Sequence, residues 1–365
     1  METIVEEALS HEEASDGKSE DRNVRDLSSE DEELKEVLSS LKTDIKIIGI
    51  GGAGCNTIER MSEEGIQGAK LIAANTDAQH LLTVHAQRKI LLGRRKTRGL
   101  GAGALPQVGM EATEEAAEDI KELLEGTDLV FVTCGLGGGT GTGGAPAIAK
   151  MAKEEGALTV AVCTTPFDAE GKSRMDNAQW GLKRLKNVAD TVITVPNDKL
   201  LELVPRLSLN KAFKVADEVL TRSIKGITEI VTKPGLVNLD FNDLKTIMEG
   251  AGVAMIGMGE DDSENRAEKA IDEAINSPLL EVDISNANAA LVNVVGGSDM
   301  TVAEAEKVAK MVENRIGKDA RIIWGASIEP TLDKSMRVMV VITGVKSKQI
   351  FGKEVKSSEE IQTVA

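Results

Sequence analysis

Tyrosine is absent from the 365 residues, and there are only two tryptophans and five phenylalanines. The interior must therefore be aliphatic. Cysteine is nearly absent too: Cys55, Cys134 and Cys163 stand far apart, with no Cys-x-x-Cys pair. That spacing excludes a disulfide framework and a thiolate zinc site, and it fits a reducing cytoplasm. His11, His80 and His85 are too scattered for a metal constellation, and His80 and His85 are expected on a solvated helix face. No apolar run approaches the ~18 residues a membrane span requires, and the start of the chain has no signal-peptide-like apolar stretch. Membrane-embedded and secreted classes are set aside. Basic charge is in deficit, with 43 Lys and Arg against 60 Asp and Glu, a net charge of −17. Phosphate-backbone binding needs a basic face, so nucleic acid is excluded as a partner. The pattern GxxxxGK[ST] does not occur, which removes the Walker-type nucleotide hydrolases.

The length suggests two domains, at roughly 100–200 residues each. Residues 1–40 hold 14 acids and four bases, and read as an acidic flexible extension with a short helix expected over Asp31–Leu41. Beyond it, β-branched runs alternate with helix-like stretches. Strands are expected at Ile45–Ile50, Lys70–Asn75, Leu129–Cys134, Leu158–Thr164 and Thr191–Val195. Helices are expected at Asn56–Glu64, Gly109–Leu124, Ala145–Glu154 and Gly171–Asn187. Unbroken apolar strands separated by helices imply a parallel sheet covered on both faces, with ligands at the strands' carboxyl ends. Residues 41–207 read as this parallel-sheet, ligand-binding domain, and 208–233 as a long connecting helix. Residues 234–347 read as a smaller α+β domain with a mixed sheet and two helices, and 348–365 as a short flexible tail. The expected class is thus α/β: a Rossmann-like parallel sheet joined by a central helix to an α+β domain.

Glycine is abundant, at 35 residues, and its placement carries the chemistry. The segment Gly49-Ile-Gly51-Gly52-Ala53-Gly54-Cys55-Asn56 follows the first strand directly and opens a helix. Its backbone N–H groups and the helix dipole make an anion site. It fits GxGxxG, with Asp77 after the second strand, as a dinucleotide fold would have it. A second loop, Gly137-Gly138-Gly139-Thr140-Gly141-Thr142-Gly143-Gly144, follows the strand ending at Cys134. A third, Thr97-Arg98-Gly99-Leu-Gly101-Ala-Gly103, adds further donors. Three such loops at one sheet edge suit a triphosphate better than a pyrophosphate. Mg²⁺ is the cation expected with it, because it bridges phosphate oxygens and keeps several waters. No side chain is assigned as its direct ligand.

The run Gly138–Gly143 closely resembles the signature of the tubulin superfamily in the form carried by the FtsZ family of prokaryotic cell-division GTPases. The likeness continues in order along the chain. Asn75–Gln79 and Thr97–Gly103 resemble the family's next two nucleotide loops, and Thr165–Met175 its ribose loop. Pro196–Leu200 and Ala212–Glu218 resemble the base-binding segments, and Asn238–Asp243 the loop that reaches the next subunit's nucleotide.

The resemblance implies GTP and GDP as ligands. Gly51, Gly52, Ala53, Gly54 and Cys55 would line the phosphates, together with Gly101, Gly138, Gly139, Thr140, Gly141, Thr142 and Gly143. Glu170 and Arg174 would serve the ribose and phosphates, Asn56, Asn197 and Asp217 the guanine edge, and Phe213 would stack on the base. Asn238, Asp240 and Asp243 would be catalytic, supplied by a neighbouring subunit. Taken without the resemblance, Glu170 and Arg174 at i,i+4 read as a surface ion pair worth about 0.3–0.5 kcal/mol. Likewise Phe213 reads as a core residue, and Asp240 and Asp243 as acids favoured at a helix start.

The resemblance further implies head-to-tail homopolymers at the mid-cell division site, with membrane-adaptor and other division proteins as partners and no insertion into the membrane. The long acidic extension resembles archaeal members, and no bacterial-type terminal tether peptide is recognisable. Two other readings compete. A Rossmann-type NAD(P)-dependent oxidoreductase leaves Gly137–Gly144 and Asn238–Asp243 idle. A non-hydrolysing nucleotide-binding regulator would make Asp240 and Asp243 dispensable.

Overall fold

The computed structural model describes residues 43–345, apart from 204–207, 234, 238, 281–283, 285–286 and 318–319. The acidic extension, the helix expected at Asp31–Leu41, the tail from 348 and Asn238 lie outside the described residues.

Six parallel strands form the first half of the sheet: β1 (Ile45–Ile50), β2 (Ala69–Asn75), β3 (Arg88–Leu91), β4 (Leu129–Gly135), β5 (Leu158–Thr165) and β6 (Thr191–Pro196). Their order is β3-β2-β1-β4-β5-β6. The chain thus builds outwards from β1 in one direction, then returns to place β4 on its other side, with Ile50 level with both Ala74 and Cys134. That reversal is a topological switch point, where loops leaving adjacent strands diverge and leave a crevice.

All six residues of β1 are buried. Ile45 and Ile47 face one apolar cluster and Ile48 and Ile50 the other, as the alternation of a strand dictates. Lys46 is buried only because its Nζ reaches Thr127 Oγ1 at 2.5 Å and Asp44 at 3.1 Å. Strand β3 was not expected: its Arg-Lys-Ile-Leu sequence is short and half charged, as suits a sheet edge.

The helices are α1 (Gly51–Glu63), α2 (Ala78–Thr83), α3 (Pro106–Glu115), α4 (Ala117–Leu124), α5 (Thr140–Glu154), α6 (Lys172–Val188), α7 (Asn197–Leu203) and α8 (Leu209–Thr232). Three differ from expectation. Helices α1 and α5 begin five residues early, inside the glycine loops, because the glycine-loop backbone is itself the first helical turn. The single helix expected at Gly109–Leu124 is broken at Ala116, where ψ is 14°. No breaker residue marks the spot. The two halves simply pack differently: Gly109 lies against the backbone of Gly139 and Thr140, whereas Ile120 and Leu124 enter the sheet core.

Past α8 come α9 (Phe241–Met248), β7 (Gly252–Asp261), α10 (Arg266–Ile275), β8 (Ala289–Gly296), α11 (Val302–Arg315), β9 (Arg321–Ile328) and β10 (Met336–Thr343). The two helices expected here are α10 and α11, clasped together by Arg266, which donates to Glu304 at 2.8 and 3.1 Å and to Asp299 at 2.8 Å. The smaller sheet is not separate. Strand β7 pairs in parallel with β6 over Thr191–Ile193 and Gly252–Ala254, so ten strands form one sheet ending β6-β7-β10-β8-β9. Strand order across a junction depends on how α8 folds back, which no local pattern records.

Helix α8 buries Ala216, Leu220, Ile224, Ile227 and Ile230, a stripe at three- and four-residue spacing. The stripe meets Val162 and Val195 of the first half and Leu291, Met339 and Val341 of the second. One end of α8 therefore carries Phe213 and Asp217 to the carboxyl edge of the parallel strands, while the other rests on the mixed part of the sheet.

Candidate nucleotide-binding site

The first turns of α1 and α5 open at the switch point, and neither has a side-chain cap on its N-terminal N–H groups. A helix start exposes up to four such donors, and an anion is one of the few partners that can satisfy them. Both starts border one polar cavity of about 350 Å³, whose wall includes Gly52, Ala53, Gly138, Gly139, Thr140 and Gly141. Gly51 sits at φ +73°, and a Cβ there would lie 2.9 Å from the Gly141 nitrogen. The two loops are pressed together at that point, and only glycine allows it.

The third loop holds the second in place. Gly139 N donates to Gly103 O at 2.9 Å, and Gly101 N to Thr76 O at 3.0 Å. The buried hydroxyls of Thr76 and Thr140 are 2.6 Å apart. Gly101, Ala102 and Gly103 complete this side of the wall.

Six expected contact residues, Gly51, Gly54, Cys55, Asn56, Thr142 and Gly143, are not part of the cavity wall. Thr142 is fully buried, and its Oγ1 accepts the Gly137 N–H at 2.8 Å, so it frames the loop. Gly143 is a packing glycine: a Cβ would fall 1.9 Å from Pro106 O. Gly54 is another, 2.4 Å from Thr133 O by the same construction. Cys55 is buried in the apolar core behind α1, where burial pushes its thiol up to about 12.

The opposite end of the cavity has a different character. Asn197 begins α7, is 4% exposed, and its Oδ1 has no hydrogen-bond partner. A buried acceptor left unpaired costs roughly 1–3 kcal/mol, so a ligand donor here is strongly favoured. Asp217 stands beside it on α8. Burial raises its carboxyl to about 6, against an opposing pull from the Arg60 guanidinium. Phe213 also lines the cavity, 37% exposed, and meets the buried Phe167 ring edge-on at 5.1 Å and 80°. It is therefore not the core residue its sequence alone suggests.

Glu170 and Arg174 line the wall between the two ends. The ion pair read from their spacing exists, with Arg174 Nη1 donating to Glu170 Oε2 at 2.5 Å, while Glu170 Oε1 accepts the Phe167 N–H at 3.0 Å. Asn56 is exposed and touches the cavity wall indirectly, by a 3.0 Å hydrogen bond to His80.

His80 itself corrects an expectation. It is on α2, but it lines the cavity instead of a solvated face. His85 lies beyond the end of α2 and pairs with Glu59 at 2.6 Å. His80, Gly135, Leu136 and Thr164 are the wall residues that lie outside every loop marked in the sequence. Their only signal was position, each falling within two residues of a marked loop.

Asp240 and Asp243 are not gathered here. Each caps the other's backbone at the start of α9: Asp243 N donates to Asp240 Oδ1 at 2.8 Å, and Asp240 N to Asp243 Oδ2 at 3.4 Å. Among the described residues no three His, Cys, Asp or Glu side chains group as a metal site. Asp77 fails the role a dinucleotide enzyme would give it, since its Oδ1 accepts the Gln79 and His80 N–H groups and so caps α2. With two uncapped helix starts at one crevice, the oxidoreductase reading is set aside.

Comparison with known proteins agrees. The model of the Tubulin/FtsZ family GTPase domain matches residues 44–205, and that of the FtsZ family C-terminal domain matches residues 252–346. Cell division protein FtsZ 1 of Archaeoglobus fulgidus is 58% identical over 354 residues, covering 97% of this chain and 96% of that protein. Cell division protein FtsZ of Haloferax mediterranei is 57% identical over 367 residues, covering 99% and 97%. A solved M. jannaschii FtsZ dimer superposes with a TM-score of 0.83 at 54% identity, over 87% of this chain and 93% of that one. Motif order, cavity and relatives converge: the chain belongs to the FtsZ family, the cell-division GTPases of the tubulin superfamily.

Proposed function

We propose that this chain assembles head-to-tail and hydrolyses GTP at a site completed only between two copies. One observation carries the reading: the cavity gathers donors for phosphate and acceptors for a base, yet Asp240 and Asp243 stand outside its wall. In this reading the N–H groups of α1 and α5 hold the phosphates, supported by Gly101 and Thr140. Glu170 and Arg174 orient the ribose. Asn197 and Asp217 accept from guanine, whose N1–H and 2-amino group form a donor pair that adenine lacks, and Phe213 covers the ring. Such selectivity is strong because a base without those donors leaves buried acceptors unpaired.

The chemistry is attack by water on the γ-phosphorus, with cleavage of its bond to the β–γ bridging oxygen and release of GDP and phosphate. A carboxylate of Asp240 or Asp243 from the adjoining copy accepts the water's proton; Asn238 belongs to the same loop. Mg²⁺ would arrive with the nucleotide and neutralise phosphate charge. The wall suits that mode of binding: it presents backbone donors, threonine hydroxyls and the Asp77 carboxylate instead of a preformed cage. Residues 41–207 and 234–347 act as the two assembly partners' halves, joined by 208–233. The filament would serve the division ring at mid-cell from the cytoplasm, recruited by a membrane adaptor. No helix among the described residues is long and apolar enough to cross a membrane.

Phosphate release per subunit, followed against protein concentration, tests the shared site. Turnover should rise more steeply than linearly near the assembly threshold. Specific activity independent of concentration would overturn the reading. A mixture of Asp243→Ala with a variant defective only in GTP binding should regain activity, because one junction can combine an intact pocket with an intact loop.

A further inference from the structure

Asp77, Asn75 and His80 of the cavity wall, with Asn56 just behind them, form a chain whose donor–acceptor order is fixed from one end. The Asp77 backbone N–H donates to Asn75 Oδ1 at 3.3 Å, which turns the Asn75 amide nitrogen towards His80. That Nδ2 lies 3.1 Å from His80 Nδ1. An amide nitrogen only donates, so Nδ1 is the acceptor, and a neutral imidazole accepting there carries its proton on Nε2. His80 Nε2 lies 3.0 Å from Asn56 Oδ1 and therefore donates to it. The Asn56 carboxamide oxygen is thus occupied, and its Nδ2 makes no hydrogen bond to another described residue.

We infer that His80 is a positioning residue for guanine-nucleotide binding: it occupies the Asn56 amide oxygen, so that only N–H donors are left to meet an incoming base. Without that bond the amide can rotate and offer either its oxygen or its nitrogen. With it, Asn56 is restricted to acceptor atoms, such as a purine carbonyl. Asn75 and Asp77 set the tautomer, and the histidine passes that polarity from β2 and α2 across to α1. Among the described residues α1 has no other side-chain hydrogen bond to α2; the nearby His85–Glu59 pair lies beyond the end of α2. The inference rests on the guanine pocket proposed above and on the place beside the base that the family resemblance gives Asn56, and it adds a residue to that pocket.

The test is equilibrium binding of a ribose-labelled fluorescent GDP, at protein concentrations below assembly, so that neither hydrolysis nor polymerisation contributes. His80→Leu should weaken binding roughly three- to tenfold, the size of one misplaced neutral hydrogen bond. His80→Gln should bind within about twofold of the parent, since its amide offers one acceptor and one donor in the same order. The double variant His80→Leu with Asn56→Ala should be no weaker than Asn56→Ala alone, as expected when one residue acts through the other. Asn56→Asp should lose affinity like Asn56→Ala, because a carboxylate can take the His80 bond but has no donor left to present. Full affinity in His80→Leu, loss in His80→Gln equal to that in His80→Leu, or additive losses in the double variant would each overturn the inference. Asp217→Ala serves as the separate control. Normal GDP binding there would remove the pocket itself, whereas loss there with normal His80 variants would remove only the relay.

Discussion

Helices α1 and α9 begin in opposite ways. Helix α9 is complete by itself: Asp240 and Asp243 satisfy each other's backbone N–H groups, so its start needs no ligand. Helix α1 has no side-chain cap, and its first turn opens on a cavity. Helix α5 repeats the α1 pattern, while α11, capped reciprocally by Thr301 and Glu304, repeats that of α9. An uncapped start is not enough by itself, since α3, α4, α6, α8 and α10 also lack a side-chain cap; α1 and α5 differ because both open on one polar cavity. A closed one can still carry acids, but within its own chain they do structural work. In α9 the proposed catalytic role would fall on the capping residues, so the two must be separated by experiment.

Asp243→Asn makes that separation and has the largest expected effect. The amide oxygen can still accept the Asp240 N–H, so α9 should melt as before, but the charge is gone. Turnover in assembled protein should fall about 10²–10⁴-fold, the usual contribution of a positioned acid or base, with GTP binding unchanged. Normal phosphate release from Asp243→Asn would leave α9 with its capping role alone.

Next in size is the pH response of the open end of the site. Asp217 must be ionised to accept two guanine donors, and burial holds its carboxyl near 6. GDP affinity should therefore fall about tenfold per unit as pH drops below about 6, and this slope should vanish in Asp217→Asn. The stability of the nucleotide-free protein should move in the opposite direction. The folded value lies above the unfolded one, so the native state holds the extra proton between about pH 4 and 6. Stability is lost as pH rises through that window, by at most about 3 kcal/mol. Asp217→Asn also exchanges one acceptor for a donor, so it should favour xanthine over guanine nucleotides, which a competition assay would show. Equal competition by ATP and GTP in the parent protein would contradict the assignment of this end.

A smaller effect distinguishes wall from frame in the second glycine loop. Adding a Cβ at Gly138 meets no atom within 4 Å, while at Gly139 it would lie 2.5 Å from Gly103 O. Gly138→Ala should lower GDP affinity with little change in melting temperature. Gly139→Ser should lower both, because the loop must move before any nucleotide is present. Thr142→Val, removing the acceptor for Gly137 N–H, should destabilise the fold by about 1–3 kcal/mol. Unchanged thermal stability in Thr142→Val would show that this hydroxyl does not frame the loop.

Smallest of all is the cap alone. Asp240→Ser keeps an N-cap acceptor, and should leave stability within about 0.5 kcal/mol of the parent; Asp240→Ala should cost about 0.5–2 kcal/mol. Equal melting of the two variants would mean that α9 does not depend on its cap.

Much of this molecule was legible before any coordinates. The runs that became β1, β2, β4, β5 and β6 are continuous and β-branched, because a parallel strand is buried on both faces and tolerates little else. The stripe from Ala216 to Ile230 marked α8 by its spacing alone. The glycine loops were legible because close backbone approach and positive φ exclude other residues, as at Gly51. Phe213, Asn197 and Asp217 were nameable only through their order along a family pattern. Chain order could not say that Asn197 would be left with an unpaired oxygen, or that burial would raise Asp217. Those are properties of neighbours brought from β6, α7 and α8 to one edge. The break at Ala116 and the joining of β6 to β7 were equally hidden, since both are decided by what the segments pack against. The same holds for the split within the second glycine loop, where Gly138 faces the cavity and Thr142 turns into the frame. Residue type and spacing fixed which atoms were available; only the fold decided which of them kept a partner and which were left open for a ligand, because burial and pairing are set by contacts distant in sequence.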